Sequence, residues 1–129
     1  MSPFSSVFLF IILLLPNVFA INFPPKVFVN ITNDLKSGLT LNLHCKSKND
    51  DLGQQELTKG ASFLFKFRKM VFGGTLFHCR VVWKGANHTF NFYNQDHDKC
   101  RHCNWSIKSN GPCMALTADK AYICYEWRS

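Results

Sequence analysis

Histidine and cysteine are the residue types in this chain that could do chemistry, and they come close together in one segment. That segment contains His97, Cys100, His102 and Cys103. Imidazole and thiolate at this spacing are typical zinc ligands. The chain has six cysteines, however, and in a small secreted domain an even number of cysteines favours disulfide bonds. We therefore expect disulfide bonds here and no metal site.

Two closer pairs would suit covalent chemistry, but neither has the context that this chemistry needs. Cys100 and Cys103 have the spacing of a redox pair, yet they follow a polar loop with no βαβ pattern. His44 precedes Cys45 as a base might precede a nucleophile. Neighbours on a strand point to opposite faces, so these two side chains cannot meet.

The remaining acid and base residues do not form a recognisable catalytic motif. The five histidines include no H-E-x-x-H arrangement, and the carboxylates are mostly in predicted loops. A secreted ribonuclease would suit the basic charge, but the chain offers no two histidines in matched contexts. We expect a protein that is not an enzyme and that has no cofactor.

The N-terminus has the pattern of a secretory signal. Val7 to Leu15 is an unbroken apolar run that ends at Pro16, and Val18-Phe19-Ala20 offers small residues for a signal peptidase. The pattern predicts a signal peptide at residues 1–20 and a secreted domain at 21–129. The apolar run is shorter than the roughly 20 residues of a membrane span. We therefore expect an extracellular protein that is not inserted into a membrane.

The secreted part has the composition of one basic globular domain. About a hundred residues remain after Ala20, the size of one ordinary domain. A hydrophobic content of 47% with 13 phenylalanines is enough to fill a core. The formal net charge is +7, which attracts acidic polymers and membrane faces, although solubility alone would also explain it. No nucleic-acid partner is expected.

Short runs of alternating apolar residues recur along the chain, with turn signals such as Gly73-Gly74 and Ser109 to Pro112 between them. The predicted strands are Val27 to Ile31, Leu39 to Cys45, Phe63 to Arg68, Leu76 to Trp83, Phe90 to Phe92, Cys103 to Ile107, Cys113 to Leu116 and Ala121 to Trp127. No stretch has helical spacing beyond one turn. About eight short strands predict an all-β fold, an antiparallel β-sandwich.

Three polar segments between these strands are predicted to be surface loops: Lys46 to Gln55, Lys84 to His88 and Gln95 to His102. The first begins with two positive and two negative charges and no apolar residue, so it must reach the solvent. Within it we expect Asp51 to accept hydrogen bonds from the loop backbone, Leu52 to pack inward and Gly53 to adopt a positive φ. A direct contact of this loop with a receptor is the alternative.

The pairing of the cysteines stays partly open, since six cysteines allow 15 connectivities. Cys113 and Cys124 flank a predicted hairpin, which favours a bond between them. Cys100 and Cys103 are so close that a bond between them would restrain almost no chain. We therefore expect Cys45 and Cys79 to pair with Cys100 and Cys103, in an order that the sequence does not decide.

An ordered set of landmarks resembles one family. The landmarks are His44-Cys-Lys-Ser-Lys-x-Asp-Asp-Leu-Gly53, Thr75-Leu-Phe-His-Cys79, Trp83, Cys100-x-x-Cys103-x-Trp105 and Asn110-Gly-Pro112. They are similar to those of the plant self-incompatibility proteins, or S-protein homologues, over nearly all of the chain after residue 20. Cys113 and Cys124 lie outside the smaller cysteine set of the founding poppy protein, which fits a branch with an extra bridge.

The resemblance implies a β-sandwich that acts as an extracellular recognition ligand, with rejection of self pollen as the founding case. The implied partner is a cell-surface receptor protein, and an acidic wall polysaccharide is a second candidate. The alternative is a basic defence protein that binds walls or membrane surfaces directly. Rigid sandwiches present their loops to partners. The candidate contact residues are Lys46, Lys48, Asp50, Asp51, His88, His97 and Lys99.

Three N-glycosylation sequons are present, at Asn30, Asn87 and Asn104. Asn87 lies in a predicted hairpin loop and Asn30 on the solvent side of a predicted strand. Asn104 stands between Cys103 and Trp105, the least open of the three positions.

Overall fold

The chain folds into two β-sheets that pack face to face. The computed structural model describes residues 24–70, 73–116 and 121–128. The strands are β1 (Lys26–Asn33), β2 (Leu41–Lys46), β3 (Asp51–Leu57), β4 (Ser62–Arg68), β5 (Leu76–Trp83), β6 (Ala86–Asn94), β7 (His102–Lys108), β8 (Gly111–Ala115) and β9 (Tyr122–Cys124), and a short 3₁₀ turn occupies Lys36–Gly38. One sheet has the strand order β4-β1-β7-β8-β9 and the other β3-β2-β5-β6. The predicted all-β sandwich is confirmed. The predicted signal peptide lies outside the described residues.

Alternating apolar residues build the core, as the strand pattern predicts. Val27, Val29 and Ile31 of β1 are fully buried, while their neighbours along the strand face outward. The sheets meet through aromatic rings: Trp105 of β7 lies edge-on to Phe92 of β6, with centroids 5.2 Å apart. Burial of this apolar surface is the main force that holds two sheets together.

The structure has one strand more than the sequence pattern predicts. β3, Asp51–Leu57, occupies the second half of what we expected to be the loop from Lys46 to Gln55. It is an edge strand that pairs with β2, and Leu57 is its one buried residue. A strand of this kind needs little apolar alternation, so the pattern could not reveal it. The connecting turn is therefore only residues 47–50.

One neighbouring pair of strands is parallel. β1 and β7 run in the same direction with Val29 beside Cys103, while the other paired strands of both sheets are antiparallel. A parallel pair requires a long connection, and here most of the domain lies between the two strands. The antiparallel expectation is wrong for this pair.

A β-bulge changes the phase of β6. The register between β5 and β6 shifts between Phe77 and His78, so that Phe92 and Tyr93 are both buried although they are consecutive. An extra residue in one strand has this effect.

The side chain of Asn33 links the connection between β1 and β2 to the end of β3. Asn33 is 1% exposed. Its side-chain amide donates to the carbonyls of Leu39 and Leu57, both at 2.8 Å. Its side-chain oxygen accepts from the Leu35 N–H at 2.9 Å. A buried amide with these partners fixes the path of the chain from β1 to β2.

Candidate functional site

Two of the three predicted loops lie at the same end of the sandwich. Lys46, at the end of β2, pairs with His78 near the start of β5, and the start of β5 pairs with Asn94 at the end of β6. The turn at residues 47–50 and the segment at 95–101 therefore share one end. We call this end the loop face.

The first part of the loop face is a tight turn with fixed internal bonds. The Ser47 N–H donates to the carbonyl of Asp50 at 2.7 Å. In return, the Asp50 N–H donates to the Ser47 hydroxyl at 3.1 Å. These reciprocal bonds hold Lys48 and Asn49 at the exposed tip.

Asp51 anchors the turn where it enters β3. Its Oδ1 accepts hydrogen bonds from the Gly53 N–H at 2.9 Å and from His44 Nε2 at 2.6 Å. The hydrogen bond from the Gly53 N–H is the largest cause, and that from the His44 side chain the second, of a pKa of this carboxyl below its usual range. Gly53 has a φ of 78° and Leu52 packs against the core, in agreement with the roles expected for them from the sequence.

The second part of the loop face is organised around Asp98, which is 9% exposed. Its Oδ2 accepts from the Asn94 N–H at 2.7 Å, and its Oδ1 lies 3.3 Å from His97 Nδ1. Burial, together with the nearby Asp98 carboxylate, raises the pKa of Tyr93. Gln95 ties the segment to Thr75 through its backbone and its side chain. The segment is held to the domain by these hydrogen bonds, and Asp96, His97, Lys99 and Arg101 are its exposed polar side chains.

The candidate contact residues divide between two places. Those on the loop face are Lys46, Lys48, Asp50, Asp51, His97 and Lys99. His88 lies elsewhere, because the predicted loop from Lys84 to His88 is in fact a two-residue turn followed by β6. Gly85 has a φ of 88° in this turn, as short hairpins require. His88 is half-buried and stacks on Trp127 with ring centroids 4.7 Å apart.

The three disulfides differ in part from the expected connectivity. The structure pairs Cys113 with Cys124, as the sequence favoured. We expected Cys45 and Cys79 to pair with Cys100 and Cys103, and this expectation is wrong. Cys45 and Cys79 face each other on the adjacent strands β2 and β5 and are bonded. Cys103 belongs to the opposite sheet, where it is bonded to Cys100.

The positions of the cysteines and of His44 also bear on the hypotheses of a catalytic or a metal site. Cys45 is fully buried, while His44 points to the outer face and bonds Asp51. The sulfurs of Cys100 and Cys103 are bonded to each other. Within the described part of the chain, no group of three or more His, Cys, Asp or Glu residues is placed to hold a metal ion. In the same part, no helix is long and apolar enough to cross a membrane.

All three sequons lie on outer faces. Asn30 and Asn104 are register partners on the parallel strands β1 and β7, so their side chains stand side by side. Asn87 is exposed on β6, where its Oδ1 accepts from Arg80 Nε at 3.0 Å. Glycan occupancy stays a prediction for each of them.

A cleft of about 650 Å³ between β6 and the C-terminal segment was not predicted from the sequence. It is lined by Thr89, Phe90, Asn91, Asn94, His97, Asp98, Trp105, Cys124, Tyr125, Glu126, Trp127 and Arg128. We expected a strand as far as Trp127, but β9 ends at Cys124. The Tyr125 N–H donates to the carbonyl of Pro112 at 2.9 Å, and Trp127 Nε1 donates to that of Ser109. In the sequence, the alternation of Tyr125 and Trp127 indicated that this segment packs against the domain, but the same alternation is typical of a strand.

Comparisons with known proteins agree on one family. Residues 28–127 match the family model of plant self-incompatibility protein S1. S-protein homolog 3 of Arabidopsis thaliana is 45% identical over 116 residues, which cover 84% of this chain and 77% of the relative. S-protein homolog 4 of the same plant is 44% identical over 110 residues, which cover 79% and 72%.

A solved structure matches the fold. It belongs to the SPH (Self-Incompatibility Protein Homologue) proteins, described as a widespread family of small, highly stable, secreted proteins from plants. The TM-score is 0.60 at 19% identity, and the match covers 82% of this chain and 97% of that chain. With a family match over residues 28–127, relatives above 40% identity and a shared two-sheet fold, the chain belongs to the plant self-incompatibility protein S1 family.

Proposed function

We propose that this protein is a secreted recognition ligand that binds a receptor protein at a cell surface through its loop face. The observation that carries the proposal is the convergence of two rigidly bonded segments, residues 47–50 and 95–101, at one end of the sandwich. A surface whose backbone is already ordered loses little entropy on binding. Secretion is part of the proposal, and it rests on the family and on the N-terminal pattern.

Charge gives the loop face its chemical character. Lys46, Lys48 and Lys99 are exposed there. Lys46 Nζ lies 4.0 Å from Asp51 Oδ2, and Asp51 is itself bonded to His44. Among the described residues, Lys48 and Lys99 form no ion pair, so they remain available to acidic groups of a receptor, which would speed and orient its approach.

The overall charge of +7 supports a second candidate, which is direct binding to acidic wall polysaccharide. In that case any exposed lysine contributes about equally, since the attraction depends on summed charge and is screened by salt. Binding to a receptor instead depends on where each lysine lies on the surface.

Two charge-matched double variants separate these functions. Lys48→Glu with Lys99→Glu alters the loop face, and Lys36→Glu with Lys59→Glu makes the same charge change at exposed positions on the opposite end. Labelled protein is added to cells of the tissue that transcribes the gene, and bound protein is measured together with the melting temperature.

We expect the first variant to lose attachment and the second to keep it, with both melting temperatures unchanged. Equal loss in both variants, together with release by high salt, would support polysaccharide binding instead. Retained attachment in the Lys48 and Lys99 variant would reject the loop face as the contact surface.

A further inference from the structure

The register of three strands places two of the glycosylation sequons beside each other on one outer surface. Asn30 of β1 is the register partner of Leu64 on β4 and of Asn104 on β7. Residues two apart on a strand share a face, so Phe28 lies on the same side of β1 as Asn30. We call the surface formed by Phe28, Asn30, Leu64 and Asn104 the outer sheet face. Asn30 is at its centre, because β1 has a neighbouring strand on each side.

Apolar surface surrounds Asn30 on the outer sheet face. Leu64, directly beside it, is 61% exposed, which is the largest exposure of a large apolar side chain among the described residues. Phe28 is half-buried and stacks on His102 with ring centroids 4.9 Å apart. A sugar ring has apolar C–H groups on its faces as well as hydroxyls on its rim. A glycan attached to Asn30 would therefore remove apolar surface from water and present polar groups instead.

Asn104 has different surroundings and cannot share this position. Its neighbours on the same side of β7 are His102 and Ser106, which are both polar. It also follows Cys103, whose disulfide bond to Cys100 restrains the chain just before the sequon. Neighbouring strands lie only about 4.8 Å apart, so glycans on Asn30 and Asn104 would compete for the same space. The apolar neighbours favour Asn30 in this competition.

We propose that Asn30 carries an N-linked glycan whose first sugar covers Leu64, and that Asn104 stays unmodified. The donor is an oligosaccharide on a lipid diphosphate. The side-chain nitrogen of Asn30 forms a bond to the anomeric carbon of the sugar, and the bond from that carbon to the diphosphate oxygen breaks. The diphosphate leaves with the electron pair of that bond, and one amide proton passes to solvent. The inference rests on the secretion that the proposed function includes, but it does not involve the loop face.

Peptide mapping of the full chain expressed in plant cells tests which sequon is occupied. Cleavage after Lys and Arg places the three sequons on separate peptides, residues 27–36, 85–99 and 102–108. An amidase that releases N-linked glycans in heavy-oxygen water converts each occupied Asn to labelled Asp. We expect label in peptide 27–36 and none in peptide 102–108. An unlabelled peptide 27–36, or a labelled peptide 102–108, would overturn the proposal.

The same peptides are mapped from the medium and from the cells, so that two failures can be told apart. Absence of the protein from the medium would count against secretion, and with it against the proposed function. Protein in the medium with an unlabelled Asn30 would count against the present inference alone.

The contact between the glycan and Leu64 is tested by melting. Release of the glycan from the folded protein should lower the melting temperature by about 2 to 4 °C, because Leu64 is uncovered. The shift should be at least halved in Leu64→Ser, which has little apolar surface to cover. Asn30→Gln, which is made without this glycan, should reproduce the shift, and Thr32→Ser, which keeps the sequon, should melt like wild type. Equal shifts in wild type and Leu64→Ser would refute the contact.

Discussion

His44 and Asp51 hold the hairpin of β2 and β3 together from its outer face, with Nε2 and Oδ1 2.6 Å apart. They are seven positions apart in sequence. The same carboxylate oxygen accepts the Gly53 N–H. One side chain thus joins the strand before the turn to the strand after it, which gives the charged motif around the turn a structural role.

The first prediction is that Asp51→Ala lowers the melting temperature. The folded state depresses the pKa of Asp51 below 3.8, so its stabilisation is present above the unfolded pKa and is lost as the pH falls through the folded pKa. The difference in melting temperature between wild type and Asp51→Ala should be largest above about pH 5 and should shrink below about pH 3. Asp50→Ala is the control, because the hydrogen bonds of Asp50 with Ser47 use only the Asp50 backbone. Equal melting of Asp51→Ala and wild type at pH 7 would contradict this role.

The second prediction concerns Phe65, which is 8% exposed and packs against Phe77 with centroids 5.0 Å apart. Phe65→Ala should lower the free energy of unfolding by about 3 to 5 kcal/mol, because it leaves a cavity between the sheets. Leu64→Ala, next to it and 61% exposed, should change it by less than about 1 kcal/mol. Urea denaturation measures both. A loss below about 1 kcal/mol at Phe65 would mean that this face does not carry the core.

The third prediction concerns Asn33. Asn33→Ala removes three hydrogen bonds in a buried setting and should cost about 2 to 4 kcal/mol, since the orphaned backbone groups lose their partners. Asn42→Ala makes the same change on the exposed face of β2 and should fall within about 0.5 kcal/mol of wild type. Similar denaturation midpoints for the two variants would show that Asn33 does not organise the β1–β2 connection.

The fourth prediction ranks two disulfides. The bond between Cys45 and Cys79 spans 34 positions and that between Cys100 and Cys103 spans 3. Replacing the first pair by alanine should cost about 3 to 4 kcal/mol and the second about 2 kcal/mol or less, because a longer loop loses more entropy when it is closed. Denaturant melts give the ranking, and mapping of disulfide-linked peptides tests the connectivity. A linked peptide that contains Cys45 and Cys103 would refute the pairing.

The fifth prediction concerns Gly111, which has a φ of 155° and would direct a Cβ atom into the carbonyl of Tyr125. Gly111→Ala should displace the C-terminal segment and cost about 1 to 3 kcal/mol by overpacking. Release of Trp127 from its stack on His88 should change the tryptophan fluorescence. Gly60→Ala, also at positive φ but with open space around its Cβ, should leave the emission unchanged. Unaltered fluorescence in Gly111→Ala would contradict the close approach.

Local pattern was enough to predict the strands that carry the core. Apolar alternation in β1, β2, β4, β5 and β7 reflects burial of one face of each strand. This alternation can be recognised from consecutive residues alone. The opposite orientation of His44 and Cys45 follows from the same period of two. The turn chemistry of Asp51, Leu52 and Gly53 is equally local, because each acts within two residues of the others.

Only the tertiary structure decided which strands become neighbours. β3 lies at an edge and has one buried residue, so apolar alternation along it was too weak to predict a strand. Cys45 meets Cys79 because β2 and β5 are adjacent, and Cys103 lies in the other sheet, where Cys100 is the cysteine within reach. The parallel pairing of β1 with β7, the docking of Tyr125 and Trp127, and the cleft beside β6 likewise depend on contacts between residues far apart in sequence. Periodicity reports which face of a strand is buried, but it contains no information about the partner that buries it.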